Sequence, residues 1–248
     1  MKNSTKASEK DKFFAEDMKP RDFVFDEKVV EVFDDMVSRS VPLYEETQGT
    51  ALSLARHFTQ DGTRIYDIGC STATLLLSAG EILKGRDVTL VGIDSAPAMI
   101  EHAKLKASNS ECTLPVEFHV ADAEDQMNIS NASVVFMNYT LQFVRPLHRN
   151  AVVQQIYDGL VPNGCFILTE KVLSKNSLFN RLYIDLYYEY KASVGYSDKE
   201  IRQKRESLEN VLIPYSLDEN IELLERCGFK TIDIFFRWCN WAGIVAVK

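Results

Sequence analysis

The spacing of apolar and polar positions sorts most of the chain into elements. From Asp26 the apolar residues Val29, Val30, Phe33, Met36 and Val37 recur at helical intervals, with Asp26 placed to accept from the free amides of a first turn. Arg39-Ser40-Val41-Pro42-Leu43-Tyr44 breaks that pattern, because Pro42 has no amide hydrogen and turns Val41 away from helical geometry. A second helix is predicted to about His57. Beyond it, short β-branched runs alternate with helical patterns: Thr63 to Ile68, Val88 to Ile93, Val116 to Val120, Ser133 to Asn138 and Cys165 to Thr169. Strands covered on both faces read as unbroken apolar runs, and their alternation with helices predicts a Rossmann-like, doubly wound α/β fold on a mainly parallel sheet.

The pattern changes at about 176–212, where Phe179, Leu182, Tyr183, Leu186, Tyr187 and Tyr190 keep helical spacing with no strand beside them. This stretch is expected to be a helical insertion, placed to cover a site or meet another subunit. Ser216-Leu217-Asp218-Glu219 then has the form of a capping box, and Gly228 ends the helix it opens. Thr231 to Phe236 and Gly243 to Val247 predict a closing antiparallel hairpin. The charged, aperiodic segment 1–22 is expected to be flexible, leaving 23–248 as a single domain.

Bulk properties narrow the classes. At 248 residues and 46% hydrophobic content the chain can bury a full core, and its formal charge of −8 argues against direct tRNA or other nucleic-acid binding. No apolar run is long enough to span a bilayer, the start lacks a signal-like apolar stretch, and five cysteines without CxxC spacing suit a reducing, cytoplasmic setting. The four histidines stand alone, so no metal is expected.

The chemistry gathers at predicted strand ends. Asp67-Ile68-Gly69-Cys70-Ser71 follows one strand and precedes a helix, where glycine permits close backbone approach to a ligand. Asp94 ends the next strand, the place where nucleoside-binding folds set an acid on ribose hydroxyls. Asp122-Ala123 follows the third, within reach of an adenine amino group, and Asn138 ends the fourth. Taken singly each has a plainer reading: Asp67 a helix cap, Asp94 a cap before Pro97, Asp122 a solvated acid, Tyr187, Tyr188 and Tyr190 core, and Arg202, Lys204 and Arg205 a wet helix face.

Together with Phe25-Asp26-Glu27, Arg39-Ser40-Val41-Pro42, Asn138-Tyr139-Thr140-Leu141-Gln142-Phe143, Gln203-Lys204-Arg205, Leu208-Glu209-Asn210-Val211, Gly195-Tyr196-Ser197 and Cys239-Asn240-Trp241, these residues resemble the carboxy-S-adenosylmethionine synthases from about Phe23 to Lys248. The resemblance implies an enzyme that converts S-adenosylmethionine and prephenate to carboxy-S-adenosylmethionine and phenylpyruvate, the former feeding modification of tRNA wobble uridine. It also implies a homodimer formed through the helical insertion. Cofactor contacts are implied on Tyr44, on Gly69, Cys70 and Ser71, on Asp94 with Ser95, on Asp122 and Ala123, and on Asn138. Arg205 is implied to hold the new carboxylate. Family members usually carry glycine at the positions of Leu43 and Ala73 and asparagine at that of Ser95. Two other readings stay open: a small-molecule methyltransferase using the same cofactor without need of Arg205, and a binding protein that holds S-adenosylmethionine without reacting it.

Overall fold

A computed structural model describes residues 27–248, so the predicted cap at Asp26, the motif residue Phe25 and the segment 1–22 lie outside the described residues. Helices α1 (Glu27–Ser40) and α2 (Tyr44–Phe58) part at Pro42, as the missing amide requires. The strands are β1 (Thr63–Ile68), β2 (Val88–Asp94), β3 (Val116–Val120), β4 (Ala132–Asn138), β5 (Leu160–Lys171), β6 (Thr231–Trp238) and β7 (Trp241–Val247). They form one sheet of order β3-β2-β1-β4-β5-β7-β6, parallel through β5 and antiparallel at β7 and β6. Strand order reverses between β1 and β4, which opens the crevice that such sheets offer to ligands.

Neighbouring residues of one strand enter different cores. Ile65 packs with Leu76 of α3 (Thr74–Ile82), Ala103 of α4 (Pro97–Ser108) and Ala51 of α2 on one face. Tyr66 packs on the other with Val152 and Ile156 of α5 (Pro146–Gly159) and Leu223 of α8 (Leu217–Arg226). That two-sided burial is why β1 and β4 read as apolar runs instead of alternating ones. β5 starts five residues before the predicted Cys165, since Pro162-Asn163-Gly164 has the composition of a turn; Asn163 takes a φ of 61° and the strand runs on through it.

The insertion is two helices, α6 (Ser177–Ser193) and α7 (Asp198–Leu208). Gly195, at a φ of 98°, makes the break, and Ser197 restarts the chain with a capping box to Glu200. One side of α6 is tethered inward: Tyr187 Oη donates to the Ser40 carbonyl at 2.8 Å and Tyr190 Oη to the Val41 carbonyl at 3.3 Å. On the other, Leu178, Phe179 and Leu182 are exposed. The Ser216–Glu219 capping box opens α8 as expected.

Leu43 and Ala73, where the resemblance implies glycine as the usual residue, both adopt left-handed backbone, with φ of 52° and 61°. A β-carbon there costs on the order of 1 kcal/mol. Leu43 is also 46% exposed, so little burial is lost on removing its side chain. Leu43→Gly is therefore expected to hold or raise the melting temperature by up to a few degrees, read by thermal unfolding; a clear fall would mean that the leucine side chain contributes more than its backbone costs.

Candidate active site

A cavity of about 670 Å³ opens at the carboxyl ends of the parallel strands, roofed by α1 and the end of α7. Tyr44, Asp67, Gly69, Cys70, Ser71, Asp94, Ser95, Asp122, Ala123 and Asn138 all line it. Arg205 does not: it lies exposed on α7, hydrogen-bonded with Tyr188, while its neighbour Lys204 turns inward to the cavity and donates to Ser40 Oγ at 2.8 Å. The plainer sequence reading put both on one wet face and the resemblance set Arg205 at the carboxylate, whereas within this chain it is Lys204 that lines the cavity, through the seating of α7 on α1.

The loop after β1 is shaped by close approach. Gly69 has a φ of 75°, and a β-carbon on it would collide with the side chain of Thr140. Ser71 follows at 43°, and its amide donates to Asp94 Oδ2 at 2.8 Å while Ala96 N donates to Oδ1 at 2.9 Å. Asp94 thus ties the β1 and β2 loops together, and each oxygen keeps a lone pair for a hydroxyl. Neither acid caps as the plainer readings held, for the N-caps of α3 and α4 are Ala73 and Ala96. Asn138 belongs to the same lining, and its side-chain amide is buried without a partner. Glycine cradle, ribose-height carboxylate and orphaned amide fit an adenosyl ligand.

Asp67 is wholly buried under this loop, and burial together with the Asp94 charge raises its carboxyl to about 7. The raised value means that the free fold holds a proton there, so this group's contribution to stability declines as pH climbs from about 4 through about 7. A sulfonium or ammonium brought into the cavity favours the ionised form and expels that proton. Affinity for S-adenosylmethionine is therefore expected to tighten from pH 6 to pH 8 with proton release. Calorimetry in buffers of differing ionisation enthalpy reads this directly, and pH-independent binding would remove Asp67 from the account.

Several supporting residues carried no signal in the sequence. Asp34 of α1 accepts from Thr72 Oγ1 at 2.6 Å, Thr74 Oγ1 at 3.1 Å and Lys106 Nζ at 2.7 Å, fastening the roof to the glycine loop. Glu170, buried, accepts from the amides of Thr140, Leu141 and Gln142 at 2.9 to 3.1 Å and so sets the turn after β4, where Tyr139 has a φ of 57°. Burial raises its carboxyl to about 8 against the pull of those amides and Arg149. Among the described residues no group of three metal-binding side chains stands together, and no helix is long and apolar enough to cross a membrane.

Sheet order, glycine loop and ribose-height acid define an S-adenosylmethionine-binding protein of the methyltransferase fold, and a methyltransferase domain model matches residues 65–164. The backbone is similar to that of human N-acetylserotonin methyltransferase solved with S-adenosylmethionine, at a TM-score of 0.57, 16% identity, 90% of this chain and 55% of that one. Over nearly its whole length the chain is closer to the carboxy-S-adenosyl-L-methionine synthases of Methylococcus capsulatus, 49% identical over 92% of this chain and 94% of the relative, and Nautilia profundicola, 44% over 92% and 95%. It belongs to the carboxy-S-adenosyl-L-methionine synthase family.

Proposed function

We propose that this protein carboxylates the methyl group of S-adenosyl-L-methionine at the expense of prephenate, giving carboxy-S-adenosyl-L-methionine and phenylpyruvate. The observation that carries the reading is the likeness to synthases through α6 and α7, elements outside the part matched by the methyltransferase domain model. The product would serve tRNA wobble-uridine modification in the cytoplasm, with no tRNA contact by this enzyme.

Atoms balance as follows. The bond between the prephenate ring and its carboxylate breaks, its electron pair aromatises the ring, and the ring hydroxyl leaves. The sulfonium methyl gives up a proton, which ends with that hydroxyl as water, and its carbon takes the released carbon dioxide. The residues bind and orient: Asp94 the ribose, the Gly69–Ser71 loop the methionine arm, Asp122 and Ala123 the adenine, with Tyr44 and Asn138 beside the sulfonium. Burial and the charges of Asp34 and Asp67 hold the Tyr44 phenol neutral.

Residues 23–248 then act as one S-adenosylmethionine-binding domain whose insertion meets its twin in a homodimer. The exposed Leu178, Phe179 and Leu182 give α6 an apolar face for that contact. Arg205, outside its own cavity, would reach the carboxylate of the neighbouring subunit. Mass spectrometry of the purified protein incubated with both substrates tests the reading: a species heavier than S-adenosylmethionine by one carboxyl group, with phenylpyruvate, is expected. Unchanged S-adenosylmethionine would leave a methyltransferase or a non-catalytic binding protein.

A further inference from the structure

Strand order spreads the cavity along one line. The ribose anchor Asp94 is on β2, and Trp241 opens β7, four strand steps away, about 19 Å at the usual interstrand spacing. A nucleoside held at β2 with its sulfonium over the β1–β4 switch leaves the β5–β7 end to a second molecule. That end is not a plain apolar wall. Tyr139 and Trp241 meet edge to face at 5.6 Å, and Tyr44 adds a third ring 6.2 Å from Tyr139. All three line the cavity.

Two donors there have nothing to donate to. Tyr139 Oη and Trp241 Nε1 are both buried and both lack a hydrogen-bond partner, although a buried phenol or indole ordinarily finds one. Trp241 is only 5% exposed and pairs across the sheet with Lys171, whose ammonium lies 4.9 Å from the Tyr187 ring; Tyr187 in turn stands 5.7 Å from Trp241. Burial draws the Lys171 ammonium down to about 8, which leaves it mostly charged at neutral pH, and with two idle donors beside it this end makes a place for an anionic cyclic ligand.

We infer that Tyr139 and Trp241 form the subsite of the cyclic carboxylate substrate, their rings stacking on its six-membered ring and their O–H and N–H holding a carboxylate or keto oxygen. This rests on the proposed carboxylation and assigns positioning residues for its second substrate. Ligand oxygens at this end would answer the orphaned donors. A methyl acceptor without an anionic or keto oxygen would leave them unpaired, as they are in the free protein.

The test uses phenylpyruvate as probe and prephenate as substrate, with full-length protein saturated in S-adenosylmethionine. Tyr139→Phe and Trp241→Phe keep a ring and delete the donor; each is expected to raise the KM for prephenate about tenfold while the Kd for S-adenosylmethionine stays within twofold. The chain's two tryptophans allow a direct readout: with Trp238→Phe, the remaining Trp241 emission is expected to quench as phenylpyruvate binds. If wild-type protein turns over prephenate yet neither variant moves its KM and Trp241 emission is unaltered, the subsite is overturned and the carboxylation stands. If Trp241 reports phenylpyruvate but no carboxylated product forms, the subsite stands and the reaction assignment falls. A protein that neither turns over prephenate nor binds phenylpyruvate overturns both.

Discussion

Arg205→Ala is expected to lower the rate of carboxy-S-adenosylmethionine formation by about a thousandfold while leaving S-adenosylmethionine affinity within twofold, since losing one donor group on a developing anion removes roughly 3 to 4 kcal/mol of stabilisation. Arg205→Lys should recover little, because an ammonium cannot present the paired donors of a guanidinium to a planar carboxylate. The geometry makes a sharper demand. Arg205 lies outside its own cavity, so in the proposed homodimer a site would take it from the neighbouring subunit. Mixing Arg205→Ala with an Asp94→Ala protein, at an S-adenosylmethionine concentration too low to fill the Asp94→Ala sites, should restore about a quarter of wild-type activity. Half of the dimers are then mixed, and each has one site with both residues intact. An arginine working within its own chain would restore none, and that outcome would sink the assignment.

Asp94→Ala should weaken S-adenosylmethionine binding by roughly two orders of magnitude, about 2.7 kcal/mol. Two losses combine. The ribose forfeits a charged acceptor, and the Ser71 and Ala96 amides lose the carboxylate that ties the β1 and β2 loops. Asp94→Asn keeps an acceptor of the same shape without the charge, and an intermediate affinity is expected by calorimetry. Removing the Asp94 charge also takes away one of the two causes that raise Asp67, so the pH window for proton release should move down in either variant. Wild-type affinity in Asp94→Ala would shift the nucleoside elsewhere in the cavity.

The strands were legible because double burial leaves no polar alternation to confuse the period, and their carboxyl ends named the acids and glycine of the nucleoside half. The substrate half was not legible in the same way. Lys204 and Arg205 are adjacent on one helix, and nothing in their spacing tells which turns inward. Asp34 sits between apolar positions of α1 and is a site residue only because α1 lies across the glycine loop. Glu170 ends an apolar run and reads as the solvated close of a strand, yet it is 3% exposed and holds three amides. Each depends on a contact between elements distant in sequence. The left-handed backbone at Leu43 and Ala73 would suit glycine, a preference that composition does not reveal, and nothing in the structure explains why Leu and Ala stand there.

The two tyrosine hydroxyls that tether α6 to the Ser40 and Val41 carbonyls have a thermodynamic consequence. Those carbonyls line the cavity, and the same helix bears the apolar face proposed for subunit contact, so in the proposed homodimer assembly and ligand occupancy would act on the same helix. Linkage then runs both ways: S-adenosylmethionine should tighten the dimer by the factor by which dimerisation tightens S-adenosylmethionine, and dilution alone should loosen the cofactor.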